Sequence, residues 1–396
     1  MTARPTAERA RTAVALVFVL NGVVFASWVS RLPAVRDALS LTTGELGLLL
    51  LCLSAGSVLG LPLAGPLSTR LGPDRTVVAG AGVVGVGLLL VARGVSGGDA
   101  LATGVGLGLT GLGVGVWDVA MNVEAAGVER ALGRVLMPRF HAGFSIGTVL
   151  GALLGAAAAA LDVGVPVQLS VTGLVAVLVV TGAVRAFLPV TAEHADRQGL
   201  STAAAWREPR TLAVGLLVLC FAFAEGTAND WLAVALVDGH GESGSTGALG
   251  FACFVSTMTL VRATGGALLA RHGRPAVLRA SAALAAVGVA LVVTGPSLPV
   301  VLLGALAWGA GSALGFPVGM SAAADDPRGA AVRVSVVSSI GYTAFLAGPP
   351  LVGLLAEPQR LGVLPSLLVV LVALVLGSLV AARTAPATAT VRAQQG

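Results

Sequence analysis

Long apolar stretches alternate with short polar gaps along almost the whole chain. A bilayer core of about 30 Å needs about 20 apolar residues per helix, and twelve stretches have about that length. A polar segment, 189–208, separates the sixth stretch from the seventh. The pattern predicts twelve transmembrane helices, over 13–36, 44–69, 76–94, 99–124, 135–160, 165–188, 210–237, 246–270, 276–295, 298–322, 332–356 and 361–383.

The two sets of six stretches are related by an internal repeat. The segment Gly65–Gly72 (GPLSTRLG) returns 201 residues later as Gly266–Gly273 (GALLARHG), each time between two apolar stretches. Matched halves of an apolar chain are typical of transporters built from repeats. We therefore predict an all-α polytopic membrane protein with two pseudo-symmetric six-helix bundles, 1–188 and 209–396, joined by a cytoplasmic linker over 189–208.

Composition supports a membrane protein and charge gives its orientation. Hydrophobic residues make up 56% of the chain and charged residues 11%, whereas soluble domains are about a quarter charged. Arginines collect in the gaps on one side, and only four, including Arg31 and Arg93, fall on the other. Positive loops face the cytoplasm, so we predict a multi-pass protein of the bacterial cytoplasmic membrane, in contact with the lipid bilayer, with both termini cytoplasmic. The same distribution argues against a nucleic-acid partner.

The repeated loops carry a motif that identifies a family. Both copies resemble the signature Gly-x-x-x-Asp-Arg-x-Gly-Arg of the major facilitator superfamily, through Gly65, Arg70 and Gly72 and through Gly266, Arg271, Gly273 and Arg274; in the first copy Pro73 replaces the last Arg, and Arg75 follows two residues later in the loop. The resemblance implies the major facilitator fold and transport by alternating access. In that family the Asp helps to latch the cytoplasmic gate. Here Thr69 and Ala270 replace it, so we expect the gate to depend on other contacts.

Asp118 and Asn122 form the most informative polar pair. An ionised side chain near the bilayer centre costs at least about 2.5–3.5 kcal/mol, and the two residues lie about 40° apart around one helix. This pattern favours a proton-binding site that also binds hydroxyl groups; a structural Asp bound to a neighbouring helix is the alternative. The pair resembles the Glu-x-x-x-Asn pattern of the fucose/glucose–proton symporter branch, where the acid is the proton site. The runs 117–122 and 140–145 are more similar to the YbjJ-type branch.

Two further spans carry candidates for proton coupling. In span 7, Glu225 shares a face with Asn229, which favours a cavity position, whereas Asp230 is assigned equally to the cavity or to an outer gate. In span 5, His141 fits a proton relay, a substrate donor or a packing histidine equally well. The proton-coupling candidates are Asp118, Glu225, His141 and Asp230.

Span 1 places Asn21, Phe25 and Trp28 in one stripe at i, i+4 and i+7. An amide beside an indole suits a sugar or polyol site; an interfacial Trp is the alternative. Arg262, in span 8, could balance a buried acid, bind an anionic substrate or extend towards the inner surface. The other substrate-cavity candidates are Asn122, Ser145, Asn229, Trp231, Trp308 and Tyr342.

The sequence contains no ATP-binding loop, metal-ligand cluster or nucleophile–base pair, so we predict no enzyme, no cofactor and no metal site. The leading prediction is a monomeric secondary transporter that couples a small polar, sugar- or polyol-like solute to protons by symport. A proton-antiport exporter of drug-like or secondary metabolites is the alternative. A membrane receptor or scaffold would not explain acids in mid-membrane.

Overall fold

The structure, a computed structural model, describes residues 3–41, 43–189, 200–242, 244–356 and 361–385, and these ranges contain no β-strand. Seven helices belong to the first half of the chain: α1 Ala3–Val29, α2 Leu32–Ala38, α3 Thr43–Leu71, α4 Pro73–Gly97, α5 Ala100–Leu132, α6 Met137–Ala160 and α7 Val165–Ala183. Nine follow in the second half: α8 Thr202–Ala205, α9 Pro209–Val234, α10 Gly244–His272, α11 Arg274–Thr294, α12 Leu298–Ser312, α13 Gly315–Ala323, α14 Ala330–Ala356, α15 Val363–Ser366 and α16 Val369–Val380.

The helices confirm the prediction of an all-α polytopic membrane protein. Within the described residues, eleven helical stretches are long and apolar enough to cross a membrane. A twelfth, shorter apolar stretch, Ala330–Phe345, lies in α14. The predicted spans therefore correspond to helices, although three of them are interrupted.

The interruptions fall in the first, tenth and last predicted spans. The first predicted span ends early, at Val29, because a turn at Ser30 and Arg31 separates α1 from α2. Arg31 is buried and its guanidinium donates to Gln168 Oε1 (2.7 Å) and Val163 O (2.9 Å), which ties this turn to the start of α7. The tenth span breaks between α12 and α13. The last span breaks between α15 and α16.

The repeated loop has the same backbone conformation in both copies. Gly72 has φ 88° and ψ 156°, and Gly273 has φ 76° and ψ 158°. Residues with a side chain rarely adopt this positive-φ conformation, so the turn requires glycine. The next residue begins a helix in each case, α4 at Pro73 and α11 at Arg274.

The chain forms two compact units. The first contains Met1–Leu136 and Phe140–Thr202 together with the short segment Asp326–Ser335, and the remaining residues form the second. Each unit thus holds most of one predicted bundle. The domain limits at 188 and 209 stay predictions, because residues 190–199 of the linker lie outside the described ranges.

Glycines of α6 bring this helix against α1 inside the first unit. A Cβ atom on Gly147 would overlap the carbonyl group of Val19, and one on Gly151 would lie 2.5 Å from Val23 O. Gly22 of α1 faces the carbonyl oxygen of Phe144 in the same way. Small residues allow such close helix contact in membranes. The contact therefore fixes how closely α1 packs on α6.

Candidate functional site

Asp118 and Asn122 lie together in the buried middle of α5. Their exposed fractions are 6% and 0%. The Asn122 amide nitrogen donates to the backbone carbonyl of Asp118 at 2.9 Å and approaches its Oδ1 at 3.4 Å. The predicted shared face is therefore present, and the amide nitrogen is oriented by a hydrogen bond within the helix.

His141 on α6 completes this group. Its Nε2 lies 3.1 Å from Asn122 Oδ1. Because the Asn122 nitrogen already donates to Asp118, the atom facing the imidazole is the amide oxygen, an acceptor. Nε2 therefore carries the hydrogen and donates it. The first unit thus links a carboxylate, an amide and an imidazole in sequence, in the described part of α5 and α6.

An aromatic residue of α1 holds the imidazole from a third side. The Phe18 ring meets His141 edge-on, with centroids 5.1 Å apart, and stacks on Phe140 at 5.7 Å. Ser145, one turn further along α6, is buried and its hydroxyl donates to the carbonyl of His141 at 3.2 Å. Sequence analysis missed Phe18 because an isolated Phe in an apolar helix carries no distinctive signal.

The predicted α1 stripe has an uneven environment. Asn21 and Trp28 are buried, whereas Phe25 between them is 43% exposed. The Asn21 amide nitrogen and the Trp28 indole nitrogen have no hydrogen-bond partner among the described residues. Two buried donors therefore remain available to a ligand or to water, on a helix that also presents an exposed aromatic ring.

In the second unit, Glu225 and Arg262 form a buried ion pair. Arg262 Nη2 lies 2.7 Å from Glu225 Oε2, and the two side chains are 5% and 13% exposed, respectively. Arg262 Nε also donates to the carbonyl of Ala313, at the break between α12 and α13, at 3.1 Å. Of the possibilities left open for Arg262, the structure thus shows the one in which it balances a buried acid.

The other predicted residues of span 7 do not join this pair. Asn229 is exposed and forms no hydrogen bond with Glu225 in the described structure, although it lies one turn away. Asp230 is exposed as well. Trp231 is half-buried beside Gly353 of α14. The arginine of α10 therefore occupies the place beside Glu225 that the spacing suggested for Asn229.

Aromatic candidates of the second unit lie in two groups. Trp308 of α12 is fully buried and meets Phe254 of α10 edge-on at 6.0 Å. Tyr342 of α14 is flanked by Phe316 at 6.0 Å and Phe345 at 5.8 Å, both edge-on. Trp308 thus packs in the core, whereas Tyr342 belongs to a ladder of three rings.

The second copy of the loop motif anchors a charge cluster that the sequence analysis did not find. Arg274 Nη1 lies 2.8 Å from Asp325 Oδ1, and Arg210 Nη2 lies 2.6 Å from Asp325 Oδ2. Arg274 also donates to the Ser321 hydroxyl (2.7 Å) and to the Thr384 carbonyl (3.3 Å). The cluster around this carboxylate therefore joins residues from four parts of the second unit.

The first copy lacks this cluster. A shift by the same 201 residues places Arg9, Pro73 and Glu124 at the positions of Arg210, Arg274 and Asp325. Pro73 carries no charge and Arg9 is exposed. Glu124 is buried and accepts from the backbone nitrogen of Leu188 at 2.7 Å. Comparing every charged residue with the residue 201 positions away would have drawn attention to both Asp325 and Glu124.

The first motif contributes a close helix contact. Gly65 faces the segment Asp326–Ser335 of its own unit, where a Cβ atom would lie 2.8 Å from the Ser335 Cβ and 3.0 Å from the Ala331 carbonyl oxygen. The Ser335 hydroxyl donates to the Leu61 carbonyl at 2.6 Å. Gly266 is buried, and three motif arginines are exposed: Arg70, Arg75 and Arg271.

Metal-binding side chains are scattered. In the ranges that the structure describes, no group of three or more His, Cys, Asp or Glu side chains could hold a metal ion. The three cysteines, Cys52, Cys220 and Cys253, form no disulfide.

Comparisons with known proteins agree on one family. Residues 14–263 match the profile described as Major Facilitator Superfamily. A transporter of Sinorhizobium fredii, y4wD, is 34% identical over 351 residues, covering 87% of this chain and 90% of that protein. An MFS-type transporter of Yersinia pestis is 30% identical over 350 residues, covering 88% and 89%. Membrane protein MosC of Rhizobium meliloti is 29% identical over 354 residues, covering 89% and 84%.

Solved structures show the same fold at low sequence identity. The transporter FucP in its outward conformation superposes with a TM-score of 0.81 at 14% identity, covering 95% of this chain and 98% of that one. The human organic anion transporter MFSD10 gives 0.73 at 18%, covering 94% and 99%. With a matching family profile, relatives along most of the chain and this fold, the protein belongs to the Major Facilitator Superfamily and is a multi-pass membrane transporter, not an enzyme.

Proposed function

We propose that the protein is a proton-coupled secondary transporter of a small polar solute with hydroxyl groups, working by alternating access. It lies in the bacterial cytoplasmic membrane with both termini in the cytoplasm, because most arginines fall on that side. Transport uses the proton gradient, with a carboxyl group in each unit as a candidate carrier: Asp118 in the first and Glu225 in the second.

The observation that carries the proposal is the buried group Asp118–Asn122–His141. An acid at this depth is costly and is therefore retained for a function or for a partner. Its neighbours here are an amide and an imidazole. Both groups have donor and acceptor atoms, so they can form hydrogen bonds with the hydroxyl groups of a solute as well as with a carboxyl group. The group thus combines a proton acceptor with groups suited to a polyol.

The experiment is transport by purified protein in liposomes loaded with a pH-sensitive dye. A thermal-shift screen of sugars, polyols, organic acids and antibiotics selects the solute, because a true ligand raises stability by mass action. Adding that solute outside is expected to acidify the lumen. We expect the variant of the carrier, Asp118→Asn or Glu225→Gln, to abolish acidification, since an amide cannot carry a proton.

Glu242→Gln is the matched control, because Glu242 lies in the turn that follows residues 235–239 and lines a small pocket of about 120 Å³ to which Glu225 does not contribute. It should transport as the wild type does. Full proton-coupled uptake in both Asp118→Asn and Glu225→Gln would refute the proton-site assignment. Vesicles that hold the protein in each of the two orientations give the direction of transport. Alkalinisation of the lumen on solute uptake would show antiport instead of symport.

A further inference from the structure

The Glu225–Arg262 pair is held unequally on its two sides. Arg262 is anchored by the Ala313 carbonyl at 3.1 Å as well as by Glu225, and is 5% exposed. Glu225 has Arg262 as its only hydrogen-bond partner among the described residues and retains 13% exposure. The guanidinium is therefore the fixed member of the pair, and the carboxylate is the member that another anion can replace.

The positions 201 residues before this pair, the spacing of the loop motif, are apolar. They are Val24 and Leu61. Both are fully or almost fully buried. Apolar residues in place of a buried ion pair are often neutral or stabilising. Burial of the Glu225–Arg262 pair is therefore weak evidence for a purely stabilising role.

The residue that follows Glu225 on α9 packs against an aromatic ring. A Cβ atom on Gly226 would lie 3.0 Å from Cδ1 of Phe345. Phe345 is 37% exposed and belongs to the ring ladder with Tyr342 and Phe316. A guanidinium recognises the charge of a small acid, and an exposed aromatic ring in the same unit offers a face on which the carbon ring or chain of that acid can pack.

We infer that the transported solute carries a carboxylate, and that this carboxylate takes the place of Glu225 on Arg262. This inference rests on the proposed function and names its substrate class: a small hydroxylated organic acid. In the exchange, the Arg262–Glu225 ion pair opens, the guanidinium pairs with the solute carboxylate, and Glu225 takes up one proton from solution. One anion and one proton enter the site together, so its net charge stays constant.

This competition between two carboxylates for Arg262 also couples solute binding to proton binding, without a separate conformational switch. If the solute bound while Glu225 stayed ionised, two carboxylates would share one guanidinium in a buried place, and the second would be an uncompensated buried charge. Binding of the acid therefore requires protonation of Glu225. Conversely, release of the proton restores the original pair and displaces the solute.

The test is calorimetric binding to the purified full-length protein with pairs of probes that share a carbon skeleton: D-glucuronate with D-glucose, D-galacturonate with D-galactose, and D-gluconate with D-glucitol. We expect an acid to bind at least about tenfold more tightly than its neutral partner, the ratio that a charge-assisted hydrogen bond commonly carries. Titration in two buffers of different ionisation enthalpy should show uptake of about one proton per acid bound, by the charge balance of the buried site.

Glu225→Gln separates this mechanism from a structural role. It removes the competing anion and leaves Arg262 in place, so the acid should bind about tenfold more tightly than to the wild type and without proton uptake. A purely structural pair would give weaker binding or none. Arg262→Gln should lose the preference for the acid, and the double variant Glu225→Gln/Arg262→Gln, which has no unpaired charge, serves where the single variant fails to fold.

Three results would overturn the inference: neutral probes bind as well as their acids, none of the acids binds, or an acid binds without proton uptake by the wild type. A neutral polyol that binds and is transported with protons would leave the proposed function intact. Loss of proton coupling for every solute would instead contradict the proposed function itself.

Discussion

His141 Nε2 donates to Asn122 Oδ1 across the contact between α6 and α5, at 3.1 Å. The amide thereby connects the imidazole to Asp118 on the same helix. Asn122 is fully buried, so neither of its polar atoms can turn to water if a partner is removed. This hydrogen bond and the Glu225–Arg262 pair give each unit its own polar centre.

Asn122→Leu should destabilise the protein by about 1–3 kcal/mol, because it leaves the buried His141 donor without its acceptor. Thermal unfolding in detergent, followed by tryptophan fluorescence, measures the change. His141→Phe removes the other partner, and the double variant should lose less than the sum of the two, with a coupling energy of about 0.5–3 kcal/mol. Additive losses would mean that the two side chains do not interact.

Arg262→Gln should cost about 3–5 kcal/mol, the usual effect of removing one member of a buried ion pair. Adding Glu225→Gln to it should recover most of that loss, since no charge is then left unpaired. The same unfolding assay measures both variants. A double variant as unstable as Arg262→Gln alone would show that the arginine stabilises the unit chiefly through its Ala313 contact.

Gly147→Val should disrupt the α1–α6 contact, because a side chain at this position overlaps the Val19 carbonyl group. Overpacking usually costs about 1–3 kcal/mol, and displacement of α1 would also separate Phe18 from His141. Gly82→Val on α4 is the matched control, since nothing lies within 4 Å of a Cβ atom there. Equal melting temperatures for the two variants would contradict the close approach.

Asp325→Asn should destabilise the protein more than Glu124→Gln. Asp325 binds two arginines, and losing its charge leaves both without a counter-ion, an effect of about 1–3 kcal/mol at a partly exposed site. Gln at position 124 keeps an oxygen that can accept from Leu188. Thermal unfolding measures both variants, and a loss for Glu124→Gln as large as that for Asp325→Asn, or larger, would contradict this prediction.

The fold was predictable because length and hydrophobicity alone specify helices in a bilayer. The apolar stretches gave the helices, and the repeat gave the two matching Gly72 and Gly273 turns. Breaks within helices were harder to predict: two residues, 313 and 314, separate α12 from α13, although the apolar pattern continues across them. Nothing in local composition distinguishes such a break from a continuous span.

The polar centres were predictable only within one helix. Spacing placed Asp118 with Asn122 correctly, because i, i+4 contacts are set by helix geometry. The partner of Glu225 was not its neighbour Asn229 but Arg262, on another helix, since contacts between helices depend on rotation and packing that the sequence pattern does not encode. Whether these centres bind protons and solute stays a prediction.

Asp325 with its two arginines and Glu124 with Leu188 lie 201 residues apart, the spacing of the loop motif. The first copy keeps an acid and Arg9 at the matching positions but has Pro73 in place of Arg274. The repeat in the sequence therefore does not carry over to the side-chain contacts, and results from one half cannot be transferred to the other.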